Sequence, residues 1–283
     1  MSIVVEKAYA KVNLSIDVLG KRNDGYHEVQ MIMQTVDLHD TVTVRRCTEG
    51  ISISCKTPFV PLDQRNIVWK AARLFFEKYK VQAGISIKID KTIPVAAGLA
   101  GGSSNAAAVL RAMRTLFKPE ITDEELREIS KSVGADVPYC ITGGTVLAEG
   151  IGEQLTTLPQ LKPTTVLLVK PGIGVPTQQV YKDFVFENVA LRPNIDKMIR
   201  DIEVGNVPEI AKDMINVLES VTIRKHPVIQ KIKDGMMERG CLGCVMSGSG
   251  PTVLGIFANE TEAESAFAFY KRQPYEVFLT KTC

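Results

Sequence analysis

The run Pro94-Val95-Ala96-Ala97-Gly98-Leu99-Ala100-Gly101-Gly102-Ser103-Ser104 constrains this chain more than any other segment, because it lies between a strand pattern and a helix pattern. Glycine lets a backbone take positive φ and come close to a neighbour. The helix that follows offers N–H groups without intrahelical partners and the positive end of its dipole, which together suit a phosphate. Ser103 and Ser104 add hydroxyls that can bond phosphate oxygens or a magnesium shell. Two common phosphate loops do not fit. A Walker A loop ends in Gly-Lys-Ser/Thr, whereas Ser103-Ser104 follows Gly102 without a lysine, and the G-x-G-x-x-G spacing is absent. The plainer alternative is a strand–helix junction that packs tightly and binds nothing.

Around this run the periodicity predicts a mixed fold. Val12, Leu14, Ile16 and Val18 alternate with Asn13, Ser15 and Asp17, as in a half-buried strand. Strands are also predicted over 41–45, 51–55, 85–90 and 144–149, and helices over 66–79 and 104–117. Thr122-Asp123-Glu124-Glu125 reads as a capping box that opens a helix over 123–133. The stretch 157–164, with Pro159 and Pro163, is aperiodic and predicts a boundary between domains 1–160 and 161–283. Beyond it come strands over 165–169, 242–246, 252–257 and 276–280. Helical patterns lie between 193 and 238, and another helix is predicted over 260–271. Strands mixed unevenly with helices indicate α+β layers rather than a doubly wound sheet.

Composition excludes some functions. Lys plus Arg is 34 and Asp plus Glu is 32, so the net charge of +2 argues against a general nucleic-acid binder. The N-terminus carries no charged leader with an apolar core, and glycines, serines and a proline interrupt the two uncharged stretches, 92–110 and 240–259. A cytoplasmic chain with free thiols and no membrane partner is expected. Cys241-Leu242-Gly243-Cys244 lacks the second ligand pair of a structural zinc site and reads as small residues in a buried strand.

Three further constellations could carry chemistry. Lys11 and Asn13 share one face of the first strand, which is a polar site or simply a solvated face. Asp136 stands in apolar company in Val133-Gly134-Ala135-Asp136-Val137-Pro138. A buried carboxylate is costly unless paired, so it either meets a cation or bonds its own turn. Ser247-Gly248-Ser249-Gly250-Pro251 is either a plain hairpin or an anion-wrapping loop.

In order along the chain, Ala8–Leu14, Asp24-Gly25-Tyr26-His27, Gly98–Ala107, Gly134–Pro138 and Met246–Thr252 resemble the GHMP kinase superfamily. The Asp-Gly-Tyr-His segment is similar to the branch that phosphorylates the 2-hydroxyl of a cytidine-diphosphate-linked methylerythritol in the non-mevalonate isoprenoid pathway. The resemblance implies a two-domain α+β kinase with its active site in the inter-domain cleft. It implies that Pro94 through Ser104 bind ATP, that Asp136 is the catalytic base, and that Lys11 is its cationic partner. It places Asn13 near the reacting hydroxyl, Tyr26, His27 and Tyr181 around the cytidine, and Thr177 near the substrate diphosphate. Ala100 stands where the superfamily often has glycine. No residue matches the glutamate that several members use for Mg2+, so no protein ligand to magnesium is assigned. The sequence leaves the oligomeric state open.

Overall fold

The computed structural model describes residues 2–283. In chain order the elements are β1 (Ile3–Lys21), β2 (His27–Cys47), β3 (Ile51–Cys55), α1 (Ile67–Tyr79), β4 (Gly84–Asp90), α2 (Gly101–Phe117), α3 (Asp123–Lys131) and α4 (Val137–Thr142). Then follow β5 (Thr145–Glu149), β6 (Gln154–Thr157), β7 (Thr165–Pro171), α5 (Thr177–Lys182), α6 (Ile195–Glu203), α7 (Val207–Lys212), α8 (Glu219–Lys225) and α9 (Val228–Met237). β8 (Cys241–Met246), β9 (Val253–Phe257), α10 (Glu260–Tyr270) and β10 (Tyr275–Lys281) complete the chain.

These elements form two compact units that interleave in sequence. The first comprises Met1–Ala10, Leu38–Val95 and Ala100–Gly143, and the second comprises Lys11–Asp37, Ala96–Leu99 and Gly144–Cys283. A cut at residue 160 therefore falls inside the second unit. The cause is the length of β1 and β2, at 19 and 21 residues, since each contributes one end to each unit.

In the first unit the C-terminal half of β2 pairs antiparallel with β4 (Val44 opposite Ile87), and β3 pairs parallel with β4. Val42, Val44, Ile85, Ile87 and Ile89 meet Phe75 of α1 and Ala106, Ala107, Leu110 and Met113 of α2 in one buried core. The run of alanines keeps α2 thin enough for neighbouring elements to pack closely. Local chemistry fixes the helix starts. Asn66 accepts from the Val68 amide at 3.1 Å, and Thr122 with Glu125 forms the predicted capping box. Each such cap stabilises a helix by about 1 kcal/mol.

In the second unit the N-terminal half of β2 pairs with β5, and β5 with β6. A separate antiparallel sheet runs β10-β7-β9-β8. Helices α7 and α9 pack on β8, and α10 packs on β10 and β7. Position 243 admits only glycine, because a Cβ there would lie 1.9 Å from the Ala211 carbonyl oxygen. Cys241 is buried in β8, as the strand reading expects.

The predicted solvated face of β1 is not found. Lys11, Asn13 and Ser15 are as buried as Val12, Leu14 and Ile16. One edge of this stretch is covered within the second unit, where the Ile16 amide donates to Ile215 O and Ser15 Oγ donates to the same oxygen. Sequence alternation records only which positions are apolar, so it cannot reveal a strand with polar groups buried on purpose.

Candidate active site

The start of α2 lies in the first unit. Gly101 begins this helix, three residues ahead of the predicted start at 104. Glycine counts as a poor helix former by propensity, but at Gly101 it is required, since a Cβ would sit 2.9 Å from Lys91 Nζ and 3.0 Å from Ile93 Cγ2. Ala100 precedes the helix in the left-handed region (φ 53°), makes no side-chain cap, and no acidic residue occupies the first turn. The positive helix end therefore has neither a side-chain cap nor a first-turn carboxylate. Ser104 is buried and its hydroxyl donates to Tyr9 O at 2.6 Å, so that proton serves the fold rather than a phosphate. Ser103 is half-buried and Gly102 exposed.

Asp136 also belongs to the first unit. It immediately precedes α4, is half-buried, and its side chain makes no capping bond to that helix. Helix α4 is held from behind. Arg111 donates to Cys140 O at 2.9 Å and to Lys7 O at 3.0 Å, and pairs with Glu6 at 2.9 Å.

Lys11, Asn13, residues 96–99 and the loop 247–251 lie in the second unit. Lys11 Nζ donates to Asn13 Oδ1 at 2.7 Å, with Lys11 5% and Asn13 0% exposed. Asn13 Nδ2 turns to Met31 Sδ at 3.6 Å. The Lys11 amide donates to Leu99 O at 3.2 Å. Ser247 links β1 to the glycine-rich run: its hydroxyl accepts from the Asn13 amide at 3.3 Å and donates to Gly98 O at 3.0 Å. Asn216 steadies the same loop by donating to Met246 O and Gly248 O, both at 2.7 Å. Thr177 Oγ1 and Ser249 Oγ lie 2.9 Å apart. The plain-hairpin reading of 247–251 therefore fails, because this loop is bonded to β1, α5 and the glycine-rich run.

The aromatic residues divide. His27 packs against Tyr181 (centroids 5.4 Å, 35° between planes) and, edge-on, against Phe184 (6.4 Å, 85°). Tyr26 is 60% exposed. Burial, and secondarily Lys21, hold the His27 pKa below its ordinary value, so its ring is neutral at pH 7 and presents one donor and one acceptor nitrogen. An open cavity of about 420 Å³, lined by Ile51, Leu62, Asp63, Gln64, Arg65 and Trp69, includes none of the residues singled out from the sequence.

Sequence reasoning missed Ser247, Asn216 and Phe184 as site-building residues. For Ser247 a signal was present in the Ser-Gly-Ser-Gly spacing. Asn216 and Phe184 carry none, because their roles arise from contacts across distant sequence.

Removing the Ser247 hydroxyl leaves the buried Asn13 amide and the Gly98 carbonyl without this partner. Such a loss costs about 1–3 kcal/mol. Ser247→Ala is expected to lower Tm and to reduce kcat/KM about tenfold, read by thermal melts and steady-state kinetics. An unchanged kcat/KM would remove Ser247 from the site.

Among the described residues, no group of three or more His, Cys, Asp or Glu side chains is placed to hold a metal ion, and no helix is long and apolar enough to cross a membrane. Residues 66–144 match the family described as GHMP kinases N terminal domain, and residues 198–276 match GHMP kinases C terminal. A protein of Clostridium botulinum (strain Kyoto / Type A2) named 4-diphosphocytidyl-2-C-methyl-D-erythritol kinase is 48% identical over 99% of this chain and all of its own length. The protein of that name from Acetivibrio thermocellus is 49% identical over the full length of both. A crystal structure of 4-(cytidine 5'-diphospho)-2C-methyl-D-erythritol kinase superposes with a TM-score of 0.85 at 29% identity, covering 99% of each chain.

Proposed function

The chain belongs to the GHMP kinases and, within them, to the 4-diphosphocytidyl-2-C-methyl-D-erythritol kinases, and from that premise we propose how its residues perform the reaction. The enzyme transfers the γ-phosphoryl group of ATP to the 2-hydroxyl of the cytidylyl methylerythritol, a step toward isoprenoid precursors. One observation carries the residue-level reading. The turn from Ala96 to Ala100 holds three residues at positive φ (52°, 75° and 53°) and delivers the chain into the uncapped start of α2. Amides of Gly101–Ser103 then face the β- and γ-phosphates, where preorganised donors stabilise charge without reorganising during transfer.

The acceptor is a tertiary alcohol, a weak nucleophile. Asp136 takes its proton as the new bond forms between the 2-oxygen and the γ-phosphorus. The bond from that phosphorus to the bridging oxygen breaks, and ADP leaves. Lys11 balances negative charge on the transferring phosphoryl group. Asn13, fixed by Lys11 and Ser247, orients the hydroxyl. His27 reads the cytosine edge, Tyr181 and Tyr26 supply stacking surface, and Thr177 contacts the substrate diphosphate. Stacking of this kind contributes about 1–3 kcal/mol per base. Among the described residues no cage for Mg2+ forms. Magnesium enters as the MgATP substrate, held by phosphate and water. The reaction is assigned to the cytoplasm.

An ATP-consumption assay with the cytidylyl substrate tests the reading, and turnover dependent on that substrate is expected. Calorimetry adds a sharper discrimination. CDP is expected to bind one-to-one and to compete with substrate. A folded protein that binds no cytidylate would instead point to a kinase of a small unadorned alcohol.

A further inference from the structure

The first unit buries an ion pair that the phosphoryl-transfer scheme does not use. The Asp40 and Lys91 side chains are 0% and 6% exposed, and Lys91 Nζ lies 2.5 Å from Asp40 Oδ2. Replacing such a pair by apolar side chains is often neutral or stabilising, so stability alone is a weak reason to bury it. Its remaining partners give a better reason. Asp40 Oδ1 accepts from the amides of Thr92 (2.7 Å) and Ile93 (2.8 Å), the last residues before Pro94. Asp40 Oδ2 accepts from Asn105 Nδ2 at 2.8 Å, in the first turns of α2. Lys91 Nζ reaches Asn105 Oδ1 at 3.5 Å and lies directly beneath Gly101. One carboxylate thus grips the chain entering the glycine-rich turn and the chain leaving it.

We propose that Asp40 is a positioning residue for phosphoryl transfer, its carboxylate fixing the distance between the two limbs of the glycine-rich turn so that the Gly101–Ser103 amides match a nucleotide triphosphate. Asp40 touches no substrate. It acts through Thr92, Ile93, Lys91 and Asn105. Misplacement of a binding group by about 1 Å can cost about a hundredfold in rate, so a looser grip is read in the nucleotide parameters first. The inference rests on the reading that residues 94–104 bind ATP.

In Asp40→Asn the new amide keeps one oxygen for the Thr92 and Ile93 amides and turns an NH2 group toward the Lys91 ammonium and Asn105 Nδ2, donor against donor. KM for ATP is expected to rise about tenfold while KM for the cytidylyl substrate stays within twofold. In the double variant Asp40→Asn/Lys91→Met the unmatched ammonium is gone, and part of the ATP KM is expected to return. A drop in Tm with both KM values unchanged, or an equal rise in both, overturns the proposal, since a purely structural role predicts one or the other. Should Asp40→Asn not fold, Asp40→Glu keeps the charge and moves the carboxylate by one methylene. The same split between the KM values is expected, and wild-type values for both would overturn the proposal. Gly102→Asp separates this proposal from the reading beneath it. Gly102 is exposed, and a Cβ there meets Ile67 Cγ2 at an ordinary 3.6 Å, so an acidic side chain fits and repels phosphate. If Gly102→Asp leaves the ATP KM unchanged, the phosphate reading of the turn falls, and the role of Asp40 with it. If Gly102→Asp raises the ATP KM and Asp40→Asn does not, only the role of Asp40 falls.

Discussion

Asp136→Asn is expected to abolish turnover, with kcat falling about a thousandfold, while ATP binds within about twofold of its normal affinity. General-base catalysis contributes about 10²–10⁴-fold, and an amide of the same shape cannot accept the proton of the acceptor hydroxyl. Helix α4 should persist, because Arg111 holds it through the Cys140 carbonyl. Phosphate transfer measured by a coupled assay, with ATP affinity from calorimetry on the same preparation, checks both halves. Turnover within tenfold of normal would remove Asp136 from the role of base.

Gly98→Ala should be nearly as damaging by an unrelated route. Gly98 has φ of 75°, and a Cβ there would lie 2.3 Å from Ser247 O and 3.1 Å from Gly250 O. Both neighbours are backbone atoms, so neither can swing aside as a side-chain tip would. The left-handed conformation adds about 1–2 kcal/mol for a residue with a Cβ. The segment must move away from Ser247, which breaks the Ser247-to-Gly98 bond and shifts the turn proposed to receive ATP. A fall in kcat/KM for ATP of about a hundredfold is expected, together with a lower Tm. Kinetics within threefold of normal would show that the close backbone approach at Gly98 is dispensable.

The sequence and the structure agree best where the determinant is local. The starts of α1 and α3 follow from Asn66 and Thr122, because a cap needs only residues within one turn. β3 matches its predicted span because a five-residue apolar alternation bounded by turns has one reading. The helix α4 over 137–142 is missed, since six residues containing Pro138 carry too little periodicity to register. The burial of Lys11 and Asn13 is missed as well, because it depends on Ser247, Met31 and residue 99 of the same unit, none of them near in sequence. The candidate residues were found mainly by motif. Their supports, such as Asn216 behind the 247–251 loop, were not, since a buried asparagine that braces a carbonyl looks in sequence like any other asparagine.

The interleaving of the two units has a consequence for synthesis. Residues 11–37 emerge early from the ribosome, yet their partners Ile215, Ser247, Thr282 and Cys283 are among the last to be made. The second unit cannot close until residues 215–283 have been made, so its early strand must wait with unsatisfied edges, a condition that favours misassociation. Removing Thr282 and Cys283, which bridge Val36 and donate to the Thr35 carbonyl, should therefore harm yield far more than two residues suggest.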